Sequence, residues 1–457
     1  MAGKESNPIQ QRMDLLVEKW ELAVAQPGVN IVRIYAEDNE KDMVDTFYTY
    51  LLGVDTTNND IPIIFESIYQ DDDQYTNDLL KELEDLLSLW NNSNKDQLTI
   101  KTDTIEWKPD YSLVKKDNPA YLFTENMNRL ATYLNLMKGS YLVGALRVSF
   151  TEAQPYTRWL HFALEAGMIT KFKIVVDDCA SNPFYEKIAT KYPDQITTLK
   201  PGLDMDNAMQ QVAAMGNPND PAVQYRQAYV KLMQAIEKRK EKDAEKYAAA
   251  CIEIAVRNLK KNAYWIGQII AVYAALANDQ VGYKNYKKAL AYSDLGVQAA
   301  RKSQELIPDE YVYRKFIAQA VMLRATLHTV QKVWEKAIVD FSVAAENYTY
   351  TNDFILAMEA YRMVGLSNKK YSNTEAACKA LTTALHISRQ IPADTLKFTT
   401  FPGVIELLLE LNHAKYLSHE EVKTAAQAVY GYDWMDEVLN WKTPHSKSIN
   451  NTSEAMA

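Results

Sequence analysis

The sequence predicts two architectures in one chain: an α/β domain whose mostly parallel sheet is covered by helices on both faces, then an all-α array of helical hairpins. Three observations lead there. Short β-branched runs alternate with helical patterns through the first part of the chain. Gly216, Asn217, Pro218, Asn219, Asp220 and Pro221 form a dense cluster of chain breakers, and no strand-like run of comparable strength follows it. Beyond that cluster, small and aromatic residues recur at helix spacing in successive copies. The bulk figures agree: 457 residues exceed a single core, and 14 Gly are too few for a turn-rich all-β protein.

After a polar leader, residues 13–25 have helical apolar spacing and stop at Gln26, Pro27 and Gly28. Residues 30–35 (NIVRIY) read as a strand, 42–52 as a helix and 61–65 (IPIIF) as a second buried strand. An amphipathic helix is expected at 75–90, and 98–107 alternates as an exposed strand. The rhythm then continues with a helix at 119–137, a strand at 141–150, a helix at 151–166, a strand at 172–177, a helix at 183–192 and a strand at 196–199. Strands and helices alternating at these separations favour parallel pairing. From Val223 onward helix follows helix, including the charged segment 237–246, whose alternating signs read as a solvated face. Ser418 and Glu421 make a capping box for a helix through Val429. The expected domains are an N-terminal helix (1–27), the α/β domain (28–215), helical repeats (222–392), C-terminal helices (393–443) and a disordered tail (444–457).

Trp334, Ala337, Phe341 and Ala344 fall at intervals of 3, 4 and 3, so they share one helix face, where small methyls let a neighbouring helix approach closely. Forty residues on, Ala377, Leu381 and Ala384 repeat the spacing, and the preceding helix carries Tyr361, Val364 and Gly365. A further copy is Tyr273, Leu276, Ala277 and Ala289, with Ser293 and Gly296 in place of the preferred residues. Here the chain resembles a tetratricopeptide repeat protein over about a quarter of its length. The resemblance implies a binding scaffold whose first helices line a groove for protein partners. Its register points to Gln319 and Met322 in the second unit and to Glu359, Arg362 and Lys369 in the third. The alternative is a groove covered by the helices after Phe401, because the apolar run 404–411 needs something to pack on.

A catalytic reading rests on the α/β domain. The first strand-to-helix turn, where nucleotide-binding domains hold phosphates, reads Tyr35, Ala36, Glu37, Asp38, Asn39, Glu40, Lys41, Asp42. Lys41 stands where a phosphate-binding lysine would, but no glycine lets backbone N–H groups converge, Asp42 replaces the hydroxyl, and acids would face a polyphosphate. Ile174 to Val176 followed by Asp177 and Asp178 is an apolar strand ending in acid. Together these resemble a P-loop NTPase without a working phosphate site. The competing reading is a divergent phosphoryl-transfer enzyme using Lys41, Asp177 and Asp178, or Glu37 with Asp71, Asp72 and Asp73 around a metal. The six histidines lack ligand spacing, and neither a GxSxG elbow nor a glycine-rich dinucleotide fingerprint is present.

A net charge of −9 disfavours nucleic acid as partner. Cys179, Cys251 and Cys378 lie far apart without CxxC spacing, which suits a reducing compartment. The start, MAGKESNPIQQR, has no apolar core of a signal peptide, and the longest nearly apolar run, 265–277, falls short of the roughly 20 residues a bilayer needs. The expectation is a cytoplasmic, non-catalytic scaffold or adaptor that binds proteins, without cofactor or metal.

Overall fold

The structure is a computed structural model that describes residues 7–52, 58–92, 104–147, 149–150, 153–411 and 417–441. Contacts divide the chain into two compact units, Met1–Val212 and Ala213–Ala457.

The first unit is built on α1 (Pro8–Val24), β1 (Ile31–Ala36), α2 (Lys41–Leu52), β2 (Ile61–Phe65), β3 (Ile68–Tyr69), α3 (Asp72–Asn92), α4 (Tyr121–Tyr133), β4 (Leu142–Leu146), β5 (Ser149–Phe150), α5 (Ala153–Ala166), β6 (Phe172–Cys179), α6 (Glu186–Lys191), β7 (Ile196–Leu199) and α7 (Met205–Ala214). Five strands form one parallel sheet in the order β2-β4-β6-β1-β7. Side chains alternate across a strand, so each face collects its own core. Ile31, Leu142, Phe172, Ile174 and Val176 meet α3, α4 and α5 on one side. Val32, Ile34, Val143, Ala145 and Val175 meet α1 and α2 on the other. The N-terminal helix, whose Leu16 and Trp20 are fully buried, is therefore part of this core.

Two sequence expectations are corrected here. The strand expected over 141–150 is two, because β5 leaves the main sheet and pairs with β3 in a separate two-stranded ladder. The expected strand at 98–107 lies mostly outside the described residues, and its end, 104–107, is not extended into a ladder. The tail 444–457 also lies outside them.

The second unit contains only helices among the described residues. Four hairpins follow one another: α8 (Pro221–Glu237) with α9 (Glu241–Asn258), α10 (Trp265–Gly282) with α11 (Tyr286–Leu306), α12 (Glu310–Val330) with α13 (Trp334–Tyr350), and α14 (Phe354–Lys370) with α15 (Thr374–Ser388). The short α16 (Ala393–Leu396), then α17 (Phe401–Glu410), α18 (His419–Tyr430) and α19 (Trp434–Asn440), complete it. Ala337, Phe341, Ala344, Ala377, Leu381 and Ala384 are all fully buried, as their spacing implies. Gly365 shows how close the helices run: a Cβ there would sit 2.6 Å from the Leu381 side chain. Ala244, Ala248, Cys251 and Ala255 line the second helix of the first hairpin in the same way, a unit the sequence reading did not separate.

Every hairpin turns by the same device. One residue takes a positive φ, and the next N–H reaches back to the carbonyl five residues earlier: Lys240 to Ala235, Asn285 to Gln280, Val333 to His328 and Asn373 to Asn368. Arg324 of α12 ties hairpins together through Asp340 of α13 (2.7 Å) and Asp294 of α11 (2.9 Å).

Candidate functional site

In an open parallel sheet, ligands bind beyond the carboxyl ends of the strands where neighbouring connections leave on opposite faces. Here that point lies between β1 and β6, since α2 covers one face and α6 the other. At that point the protein's own side chains bond one another. The Asp38 carboxylate accepts from Lys41 (2.8 Å), from the Ser181 hydroxyl (3.0 Å) and from the Cys179 thiol (3.2 Å). These donors, Lys41 first, lower its pKa to about 2, and Asp38 in turn raises that of Lys41. Beneath them, the buried Glu40 accepts the backbone N–H groups of Glu37 (2.9 Å) and of Leu203. Glu37 and Glu40 stand in capping-box spacing, so the Glu37 N–H, one of the donors that would cradle an anion, is already bonded to a carboxylate. In the sequence Glu40 stands as one of the loop's several acids. The Glu-x-x-Glu spacing ahead of a helix was the available signal.

The two acids ending β6 point to opposite faces. Asp178 is buried and accepts Arg33 Nε at 2.7 Å together with the N–H groups of Cys179 (2.9 Å), Phe184 (2.8 Å) and Tyr185 (3.2 Å). It holds the loop into α6 and does not reach Lys41's network as a ligand. Asp177 lies on the α2 side, where the Tyr48 hydroxyl donates to it and Arg147 stands 3.7 Å away. Burial pushes its pKa up to about 6 against the bonding of Tyr48 and the charge of Arg147. Lys41, Asp177 and Asp178 are thus not brought to one site. Asp71 and Asp72 also have local work: Asp71 accepts the Gln74 N–H at 2.8 Å, and Asp72 binds Arg158 at 2.7 Å and the Tyr69 hydroxyl at 2.7 Å. No cluster of three metal-ligating side chains occurs among the described residues.

Asp177 gives a pH test with a definite sign. Its folded pKa lies above the unfolded value, so the neutral form favours folding; that stability is complete below pH 3.8 and lost as pH rises through about 6. Asp177→Asn is expected to be more stable than the parent at pH 7, with the difference vanishing toward pH 4. The carboxyl side chain is 33% exposed, so solvent screening reduces the effect to about 1 kcal/mol. Denaturant melts of both proteins at the two pH values measure it.

In the helical unit, Gln319 is exposed and Met322 half-buried on α12. The three residues expected to face the groove from α14 are instead engaged by the C-terminal helices. Arg362 binds Glu359 at 2.6 Å and lies 5.9 Å from the Trp441 ring centroid, Glu359 also accepts the Thr400 hydroxyl, and Lys369 pairs with Glu410 of α17. The apolar run of α17 explains this: Val404, Ile405 and Leu408 bury against the array, and the salt bridges close over them. No described helix is long and apolar enough to cross a membrane.

Neither a family model nor a curated protein sequence matches this chain. Solved structures with partial likeness include BtubC (BKLC) from P. vanneervenii, at 14% identity over 53% of this chain and 93% of that one, with a TM-score of 0.38. Aspartyl phosphate phosphatase F from Bacillus subtilis aligns at 12% identity over 69% and 72%, TM-score 0.33. A signal transduction ATPase with numerous domains and a tetratricopeptide repeat sensor from Pyrococcus horikoshii aligns at 10% over 93% and 94%, TM-score 0.20. Scores below 0.5 transfer nothing from those proteins to this one. What the structure itself defines is a class: a parallel-sheet α/β unit followed in the chain by a tetratricopeptide-like array of helical hairpins.

Proposed function

We propose that this protein is a non-catalytic scaffold that docks partner proteins on its helical array within a larger assembly. The α/β unit is an NTPase-like body whose phosphate site is lost, and the chain works in the cytoplasm, which three cysteines outside any disulfide suit. The observation that carries the non-catalytic half is Glu40. A phosphate loop must leave its N–H groups open for an anion, and here the buried Glu40 carboxylate fills the turn, holding the Glu37 N–H of the loop and the Leu203 N–H that faces it. Calorimetry with Mg-ATP is expected to show no binding heat. A micromolar dissociation constant abolished by Lys41→Ala would replace this reading with the enzyme one.

The docking half draws on the exposed first-helix face of α12. Gln319 and Met322 remain as partner contacts, whereas Glu359, Arg362 and Lys369 anchor the chain's own C-terminal helices. Affinity capture with the full-length parent and with Gln319→Arg compares the two directly. The expected result is a defined partner set that Gln319→Arg depletes without a change in melting temperature. Equal recovery by both proteins moves the docking surface elsewhere.

A further inference from the structure

Along one edge of the helical unit, three successive hairpin turns repeat a charge pattern. In each, the residue with positive φ between the two helices is a cation: Arg239 (φ 54), Lys284 (φ 58) and Lys332 (φ 59). Glycine adopts this conformation without strain and asparagine does so readily, while long side chains bear a steric penalty. A second cation follows three or four residues later, as Lys242, Lys287 and Lys336, in the first turn of the second helix. That end of a helix disfavours positive charge. All six side chains are exposed, and none forms a salt bridge among the described residues. The fourth hairpin breaks the pattern, with Ser372 at the positive-φ position and Glu375 three residues on.

Antiparallel hairpins stacked in register put these turns at the same end, so the cations form one stripe across three hairpins. Two unfavourable placements are repeated three times; Arg239 is held in part by the Tyr283 ring and the Asp279 charge, whereas Lys284 and Lys332 have no ion pair or ring contact among the described residues. We propose that this stripe binds an acidic segment of a partner protein. Apolar surface interleaves with the charge: Tyr283 stacks under Arg239 at 5.3 Å, and Val330 and Val333 are exposed beside Lys332. A polypeptide with acidic and apolar side chains uses both, whereas a phosphate backbone uses only the cations. Residues 213–457 hold 30 Lys and Arg against 26 Asp and Glu, so the helical unit itself carries an excess of cations for an acidic segment.

The proposal rests on the scaffold reading but concerns a different surface from the Gln319 face, so the two fail separately. The test is fluorescence anisotropy of full-length protein with a short labelled peptide of Glu, Asp and Leu, at physiological ionic strength. A DNA duplex of similar length is the competing probe. The parent is expected to bind the peptide, with affinity falling as salt rises. The triple variants Arg239→Gly, Lys284→Gly, Lys332→Gly and Lys242→Gln, Lys287→Gln, Lys336→Gln should each weaken it by roughly tenfold or more. The glycine variant should also melt at a higher temperature, which separates lost binding from lost fold. The proposal is overturned if the parent does not bind the peptide, if either triple variant keeps parental affinity, or if the duplex binds more tightly than the peptide.

Discussion

Ala377→Glu is expected to destabilise the helical unit by about 3 kcal/mol or more, because it places an unpaired carboxylate where no solvent reaches. Ala377 begins the small-residue face of α15, and Leu381, one turn on, already presses against Gly365. There is no slack for a longer side chain. In a unit of this size the loss corresponds to a fall in melting temperature of roughly 10 °C. Circular dichroism at the helical band measures it in the full-length protein. A variant that melts with the parent would mean that α15 is rotated away from α14, and the register of the best-defined hairpin would be wrong.

The second large effect is expected in the α/β unit. Asp178→Ala leaves Arg33 buried with its main partner removed, and strips acceptors from three backbone N–H groups, which typically costs about 3 to 5 kcal/mol. Arg33 still reaches the exposed Glu186 at 2.6 Å, but that contact leaves its Nε unmatched. Adding Arg33→Met removes the stranded charge, so the double variant should recover a measurable part of the loss. Tryptophan emission follows the unit through Trp20 and Trp159, both fully buried in its two cores. A double variant weaker than the single one would show that Arg33 contributes more through Glu186 and the Tyr35 ring, 4.6 Å away, than through Asp178.

How much of this was legible in the sequence depended on whether a local signal existed. β2 was found at its exact bounds because IPIIF is apolar and flanked by polar residues, and the capping box at Ser418 and Glu421 was found because its spacing is its mechanism. The first hairpin was not separated, since Ala244 and Ala248 lie in a segment whose charges dominate the pattern. β3 and β5, two residues each, are below any periodicity. The hairpin turns carried no glycine to announce them, and their geometry appears only from the backbone. In the candidate site, the residue types of the β1–α2 loop already argued against phosphate binding. That Glu40 turns inward to take the Glu37 N–H depends on a second donor, the N–H of Leu203, far away in sequence. The covering of Arg362 by Trp441 is equally long-range. It could be foreseen only as a need of the apolar α17 run for a surface.

The hairpins of the second unit contact chiefly their neighbours in the chain, and this determines how damage spreads. In a stack of this kind, opening propagates from an end inward, and each interface acts as a partial firebreak. The ion pairs of Arg324 bridge α11, α12 and α13, so amide protons there should exchange with solvent more slowly than those of α18 and α19. A protease meeting the folded chain would then trim the C-terminal cap first. With α17 to α19 gone, Lys369 loses Glu410 and Arg362 keeps Glu359 but loses the Trp441 ring, so the α14 surface beneath them becomes available in the shortened protein.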